Sequence, residues 1–189
     1  SYLYYADRIT QLPLGVVGIA IGTALLPMIS RQLEAGHEAE ANNSQNRGIE
    51  FALLLTLPAA LALMVLAEPI VAVLFERGAF GTEARDATAT ALFAYAIGLP
   101  AYVGIRVFTP GFFAREDTST PVRIAALGIG VNIALNFALM GPLGHMGIAL
   151  ASSISAWLNV ALLIAVLAKR GHYRGDLRLY RRLAGITAA

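Results

Sequence analysis

Long apolar runs separated by short polar stretches govern this chain, and five of the runs approach the roughly 20 residues needed to cross about 30 Å of hydrocarbon. They cover about 4–29, 51–75, 89–113, 122–141 and 146–168. The stretch from Arg31 to Glu50 is rich in Glu, Asn, Gln, Gly and His and reads as a water-exposed connector with a short helical section. Glu76 to Gly81 reads as a turn, and Thr82 to Ala89 as the capped, amphipathic start of a helix. Gly98, Pro100, Gly104, Pro110 and Gly111 crowd the third run, which predicts a kinked helix whose freed carbonyls find donors on neighbours or water. Ala114 to Pro121 is a short polar loop, and Gly141-Pro142-Leu143-Gly144-His145 turns the chain sharply. A basic tail follows from Lys169 to Arg182, and Leu183 to Ala189 reads as the opening of another span. The predicted fold is all-α: a polytopic transmembrane helical bundle, with 1–189 as one membrane-embedded unit.

The first run opens on Tyr4-Tyr5-Ala6-Asp7-Arg8-Ile9-Thr10-Gln11-Leu12-Pro13. On a helix, Arg8, Gln11, Gly15, Gly18 and Gly22 recur at spacings of three and four and share one face. That face is polar at one end and free of side chains along the rest. Such a stripe admits a closely packed helix or leaves room for a ligand. Pro13 removes the hydrogen bond to the Ile9 carbonyl, which predicts a bend beside Arg8. A guanidinium here is either a binding group or a cation snorkelling to the interface.

Composition agrees with the pattern. The chain is 57% hydrophobic and 14% charged, with a mean hydropathy of +0.65, whereas soluble domains carry about 25% charged residues. It has no cysteine, which excludes disulfides and thiolate metal sites. The formal charge of +2 does not form a nucleic-acid-binding patch, because the basic residues sort by side of the membrane. Arg31, Arg47, Arg115, Arg123, Lys169, Arg170, Arg174, Arg178, Arg181 and Arg182 fall on one side, and Arg77 and Arg85 on the other. That excess places the first side in the cytoplasm and Ser1 toward the outside. Ser1 opens directly into helix-like sequence without a basic leader, so the start reads as lying inside a longer protein.

Arg8 and Arg106 are the cations that this assignment leaves within spans. Two guanidiniums facing one cavity suit a pyrophosphate, such as that of a lipid-linked sugar, because each planar fork binds phosphate oxygens bidentately. Snorkelling is the alternative for Arg106 as well. Asn132 and Asn136 lie on one face, with Ser152 and Ser155 in the next span, so they either hydrogen-bond between helices or offer oxygens to a hard cation such as sodium. Arg115-Glu116-Asp117-Thr118-Ser119-Thr120-Pro121 is either a capped connector or a gating loop that pairs with another loop, with Arg115 and Asp117 as the charges. His37, His145 and His172 fall in loops without metal-ligand spacing. No nucleophile elbow, P-loop or Asp-rich diphosphate motif is present, so enzyme chemistry has no seat.

The runs YADRITQLPLGVVGIAIGTALLPMISR and VFTPGFFAREDTSTPVRIA resemble the MurJ (MviN) family of lipid II flippases, in the multidrug/oligosaccharidyl-lipid/polysaccharide exporter superfamily. The resemblance runs essentially the whole length. It implies a bacterial inner-membrane transporter of fourteen helices, of which this chain would supply about helices eight to twelve. The partners implied are lipid II, membrane lipids and the remaining helices of the same chain. No cofactor is expected, with sodium or the membrane potential as the coupling force. Asp7, Arg8, Gln11 and Arg106 become the substrate-binding candidates, Arg8 matching a cavity arginine needed for flipping. Gln11 stands where some relatives have an acid. Asn132 matches one ligand of a sodium site known in a branch of the family, but neutral Asn136 replaces its Asp. Other exporters of the superfamily are the nearest rival reading. An integral membrane enzyme acting on a polyprenyl lipid, or a non-transporting scaffold, stands further off.

Overall fold

In the computed structural model, described here over residues 2–75 and 81–176, apolar runs become long helices joined by very short connectors. Helix α1 covers Tyr2–Glu34, α2 Glu38–Val65, α3 Ala67–Phe75 and α4 Thr82–Phe113. The last helical stretch, Ser119–Lys169, is broken by Gly144 at φ 54° and ψ −129° into α5 (119–143) and α6 (145–169). A positive φ with that ψ suits only glycine, so the break falls where the sequence supplies one. Among the described residues, four helical stretches are long and apolar enough to cross a membrane, the broken one counted once. The turn expected at Glu76 to Gly81 and the tail beyond Asp176 lie mostly outside the described residues.

Two differences from the expectations stand out, in the polar stretch and in the second run. The polar stretch expected as a connector over 31–50 is mostly helix, with residues 35–37 alone between α1 and α2. Its polar side chains do not face water throughout, since Gln45, Asn46 and Glu50 are buried. The second run is interrupted at Leu66, and α3 starts as a separate helix. Thr82 to Ala89 continues without a break into the third run, and Pro100 and Pro110 lie inside the helix.

The helix ends at one pole share one device. Gly36 (φ 78°) and Gly171 (φ 76°) follow α1 and α6. After α6, Gly171 N–H donates to the Ala168 carbonyl and His172 N–H to the Leu167 carbonyl, at 3.0 and 2.9 Å. The same pair of bonds, Gly36 to Leu33 and His37 to Gln32, closes α1. This left-handed cap satisfies carbonyls that the helix leaves open and reverses the chain. After α4 the left-handed position is taken by Glu116 (φ 59°), with Glu116 N–H bonded to Phe113 and Asp117 N–H to Phe112.

Helix α4 is the centre: 67% of its apolar window is buried, against 28–33% for the others. Apolar burial drives little association inside lipid, so close backbone approach and cross-helix donors matter more. A side chain at Gly104 would stand 2.9 Å from Val160, and one at Gly98 would stand 2.6 Å from Ser153 Oγ. Pro100 frees the Ala96 carbonyl and loosens the turn around it. Nearby, Ser153 Oγ donates to the Ala94 carbonyl (2.7 Å) and Trp157 Nε1 to the Ile97 carbonyl (3.0 Å). Donors from α6 thus support the α4 backbone where its proline disturbs it.

Candidate functional site

The polar end of α1 forms a small network. Arg8 Nη1 donates to Gln11 Oε1 at 3.2 Å, Gln11 Nε2 donates to Asp7 Oδ2, and the Arg8 guanidinium lies 5.0 Å from the Tyr4 ring centre. Gln11 therefore stands between the carboxylate and the cation. Arg8 has no direct ion pair among the described residues, and it is exposed. Immediately below it, Pro13 is followed by a π-helical turn, Leu14–Ile19. Removing the Pro13 N–H upsets the i to i−4 ladder, and a wider turn absorbs the mismatch.

Arg106 reaches the same helix from α4. Its Cδ lies 2.5 Å from where a Gly18 side chain would begin, so the arginine stem crosses α1 in the gap left by Gly18. Pro110 cannot donate to the Arg106 carbonyl, which faces Gly22 at 3.9 Å by the same measure. Around the crossing runs an open groove of about 320 Å³, with Gly18, Gly22, Thr23, Arg106, Thr109 and Phe113 in its walls. The glycine stripe thus makes room for the Arg106 side chain at Gly18, its carbonyl at Gly22 and the groove beside them. Arg106 is exposed and has no hydrogen bond or ion pair among the described residues.

The two arginines are not side by side. Gly18 lies ten residues beyond Arg8, which at about 1.5 Å of rise per residue separates the two levels by roughly 15 Å along α1. Arg8 and the stem of Arg106 thus meet α1 at different levels.

Asn132, Asn136 and Ser152 do come together across the α5–α6 pair. Asn136 Nδ2 donates to Asn132 Oδ1 (3.0 Å), Asn132 Nδ2 to Ser152 Oγ (3.4 Å), and Ser152 Oγ to the Ile148 carbonyl (3.2 Å). The arrangement is a hydrogen-bond chain in which most oxygens already accept a proton. Among the described residues, Asn136 Oδ1 is left without a hydrogen-bond partner, as is buried Ser155 Oγ. One free amide oxygen with no carboxylate does not make a hard-cation site, and the described residues hold no cluster of three or more His, Asp, Glu or Cys. These residues alone do not fit a bound sodium ion.

At the opposite end of the bundle from Arg8, the Arg115–Pro121 loop splits its roles. Asp117 Oδ1 accepts from Ser119 Oγ and the Thr120 N–H, both at 3.0 Å, capping α5. Asp117 Oδ2 pairs with Arg170 Nη1 at 2.5 Å, and Arg170 Nη2 also donates to Thr120 Oγ1. The Thr120 side chain, then Arg170, hold the Asp117 carboxyl well below the usual carboxylate range. Arg115 donates to the Gly111 carbonyl at 2.8 Å and makes no ion pair of its own among the described residues.

One feature had no counterpart in the sequence reading. Residues 170–176 do not leave the bundle as a free basic tail but fold back across α2 and α4. Asn42 and Asn46 Nδ2 both donate to the Arg174 carbonyl, at 3.0 and 2.9 Å, and Arg174 N–H donates to Asn42 Oδ1 at 2.9 Å. Tyr173 is buried, its ring edge-on to Phe108 at 5.1 Å. Arg47 lies between Glu50 and Asp176 and pairs with both. Burial, followed by the positive charge of Arg115, pushes the His172 imidazole below its ordinary range. The available signal was the spacing Ala41, Gln45, Ile49, Ala52 and Thr56, a buried helical stripe running through the polar stretch.

Residues 1–187 match the family model described as lipid II flippase MurJ. A probable lipid II flippase MurJ of Rhizobium meliloti (strain 1021) is 51% identical over 189 residues, all of this chain but 35% of the relative. The lipid II flippase MurJ of Burkholderia cenocepacia is 37% identical over 188 residues, covering 98% of this chain and 36% of that protein. A solved structure titled lipid II flippase MurJ, inward closed conformation, superposes with a TM-score of 0.82 at 28% identity, over 100% of this chain and 40% of that one. The chain therefore spans about a third of the length of the relatives it matches. A match over nearly every residue, in sequence and in helix arrangement, places this chain in the lipid II flippase MurJ family.

Proposed function

We propose that this chain is part of a flippase that carries lipid II, an undecaprenyl-pyrophosphate-linked peptidoglycan precursor, outward across the bacterial inner membrane by alternating access. The observation that carries the reading is a pair of cations on apolar helices that have no counter-ion among the described residues. Arg106 has no polar partner among the described residues, and Arg8 meets only a neutral amide and a tyrosine ring. A charge within a span costs several kcal/mol, about 2.5–3.5 even on the lower scales, and is retained where something anionic visits it. A pyrophosphate is such a visitor, and bidentate forks suit it. With the arginines at different depths, Arg8 and Arg106 would grip the headgroup in succession, with Gln11 and Asp7 orienting Arg8. The basic pole is assigned to the cytoplasm, and the other helices of the full-length protein would close the cavity. Coupling to sodium or to the membrane potential belongs to those helices, since the Asn132–Asn136–Ser152 chain lacks a carboxylate.

The test is complementation of a flippase-depleted strain by the full-length protein, with abundance followed by immunoblot. Arg8→Ala and Arg8→Gln are expected to lose function at normal abundance, Arg8→Lys to be impaired because the fork is gone, and Arg106→Ala to be weakened less. Wild-type growth with Arg8→Gln at normal abundance would overturn the pyrophosphate role.

A further inference from the structure

Beyond its own helix α6, the segment that crosses the basic pole touches α2, α4 and the α4–α5 loop. Arg170 binds Asp117 and Thr120 at the α4–α5 loop and lies 6.0 Å from the Phe112 ring centre. Gly171 then reverses the chain, Tyr173 covers Phe108 of α4, and the Arg174 peptide is read on both sides by Asn42 and Asn46 of α2. Asp176 completes the pairing of Arg47. The contacts beneath are deeply buried: Gln45, Asn46 and Phe108 are each 1% exposed. Gln45 in turn packs on Gly111 and donates to the Val107 carbonyl at 3.3 Å, which ties α2 to α4 under the segment.

We infer that residues 170–176 are a clasp that keeps these ends of α2, α4 and α6 together as one rigid body throughout transport; its role in transport rests on the flippase reading above. Opening it would bare the Phe108 face, strip two amide side chains of the peptide they hold, and leave Arg47 with one carboxylate instead of two. Each loss raises the free energy of the open state at a buried site. The recognition is mainly of backbone and of an aromatic edge, so the clasp constrains chain path more than side-chain identity at Arg174. Motion between the two faces of the transporter is thereby directed away from the α2–α4–α6 contact and onto other interfaces, such as that of α1 with its π-helical turn and Arg106 crossing.

The experiment uses the full-length protein with cysteines elsewhere removed. Asn42→Cys with Arg174→Cys should crosslink readily on oxidation in membranes, and the crosslinked protein should flip lipid at a rate close to that of its reduced form. Separately, a membrane-impermeant maleimide applied to inverted vesicles should label Asn46→Cys, beneath the segment, at least about tenfold more slowly than exposed Asn43→Cys, since labelling at a protected site waits on local opening. Flipping that stops on crosslinking and resumes on reduction would show that the segment must open, and equal labelling of the two positions would show that it is not docked; either overturns the clasp. Ready crosslinking in a protein that flips no lipid even when reduced would uphold the docking and remove the flippase reading with the transport role.

Discussion

Glu116 occupies the left-handed cap position that Gly36 and Gly171 fill at the other helix ends of the basic pole. A side chain with φ of 59° is strained there, at a cost of about 1–2 kcal/mol that glycine avoids, partly offset by the larger entropy glycine loses on folding. Glu116→Gly is therefore expected to stabilise the protein by about 0.5–1 kcal/mol, read as a higher thermal unfolding midpoint in detergent, without loss of transport. An unchanged or lower midpoint would mean that the Glu116 side chain makes a stabilising contact that outweighs the strain. Arginine positions obey a similar local logic. Arg106 lies where Gly18 gives it space, and Arg8 meets at residue 11 an amide and not an acid.

Helix pairs in this bundle meet through missing side chains. The tightest case is α5 against α6, where the Leu139 carbonyl oxygen stands 2.3 Å from the position of a Gly147 Cβ. Backbone cannot yield there as a flexible side chain would, so Gly147→Ala should destabilise by about 1–3 kcal/mol through overpacking. Gly130→Ala, with nothing within 4 Å, should be neutral or stabilise by up to about 1 kcal/mol through helix propensity. Thermal unfolding of the two variants side by side checks the contrast, and equal shifts would refute the close approach. Helix α4 obeys the same rule from its proline turn, where Ser153 and Trp157 supply the donors that let a disturbed helix remain in an apolar environment.

For the molecule as a whole, the contacts sort the polar groups into two poles. Arg47, Arg170 and Arg174 gather with Asn42, Asp117 and Asp176 at one, while Tyr2 meets His145, Tyr5 meets Phe75 and Arg85 pairs with Glu68 at the other. With the excess of Lys and Arg at the first pole, that pole is expected to face the cytoplasm. Single cysteines at Asn43 and Thr82 of the full-length protein, probed in intact cells with an impermeant thiol reagent, should differ: Thr82→Cys labels and Asn43→Cys does not. Equal labelling would refute the orientation.

Run length and composition determined, without any fold, that this chain is a set of membrane-spanning helices, because lipid leaves the backbone no other way to satisfy its hydrogen bonds. Glycines and prolines marked in advance the break at Gly144 and the disturbed turn after Pro13. The YADR and PGFFAREDTSTP runs pointed to the family before any helix was placed. The tertiary structure decided matters of partnership. Polarity made 31–50 read as a connector, yet α2 begins at Glu38, because Gln45 and Asn46 find partners on other elements and Glu50 pairs with Arg47 one turn away. Periodicity tells which side of a helix is alike, but not what will face it. Asn42 and Arg174 are 132 residues apart, and Arg106 and Gly18 belong to different helices. Local pattern carries no information on such pairs; they are settled when the whole bundle packs and each buried polar group takes the donor or acceptor within its reach.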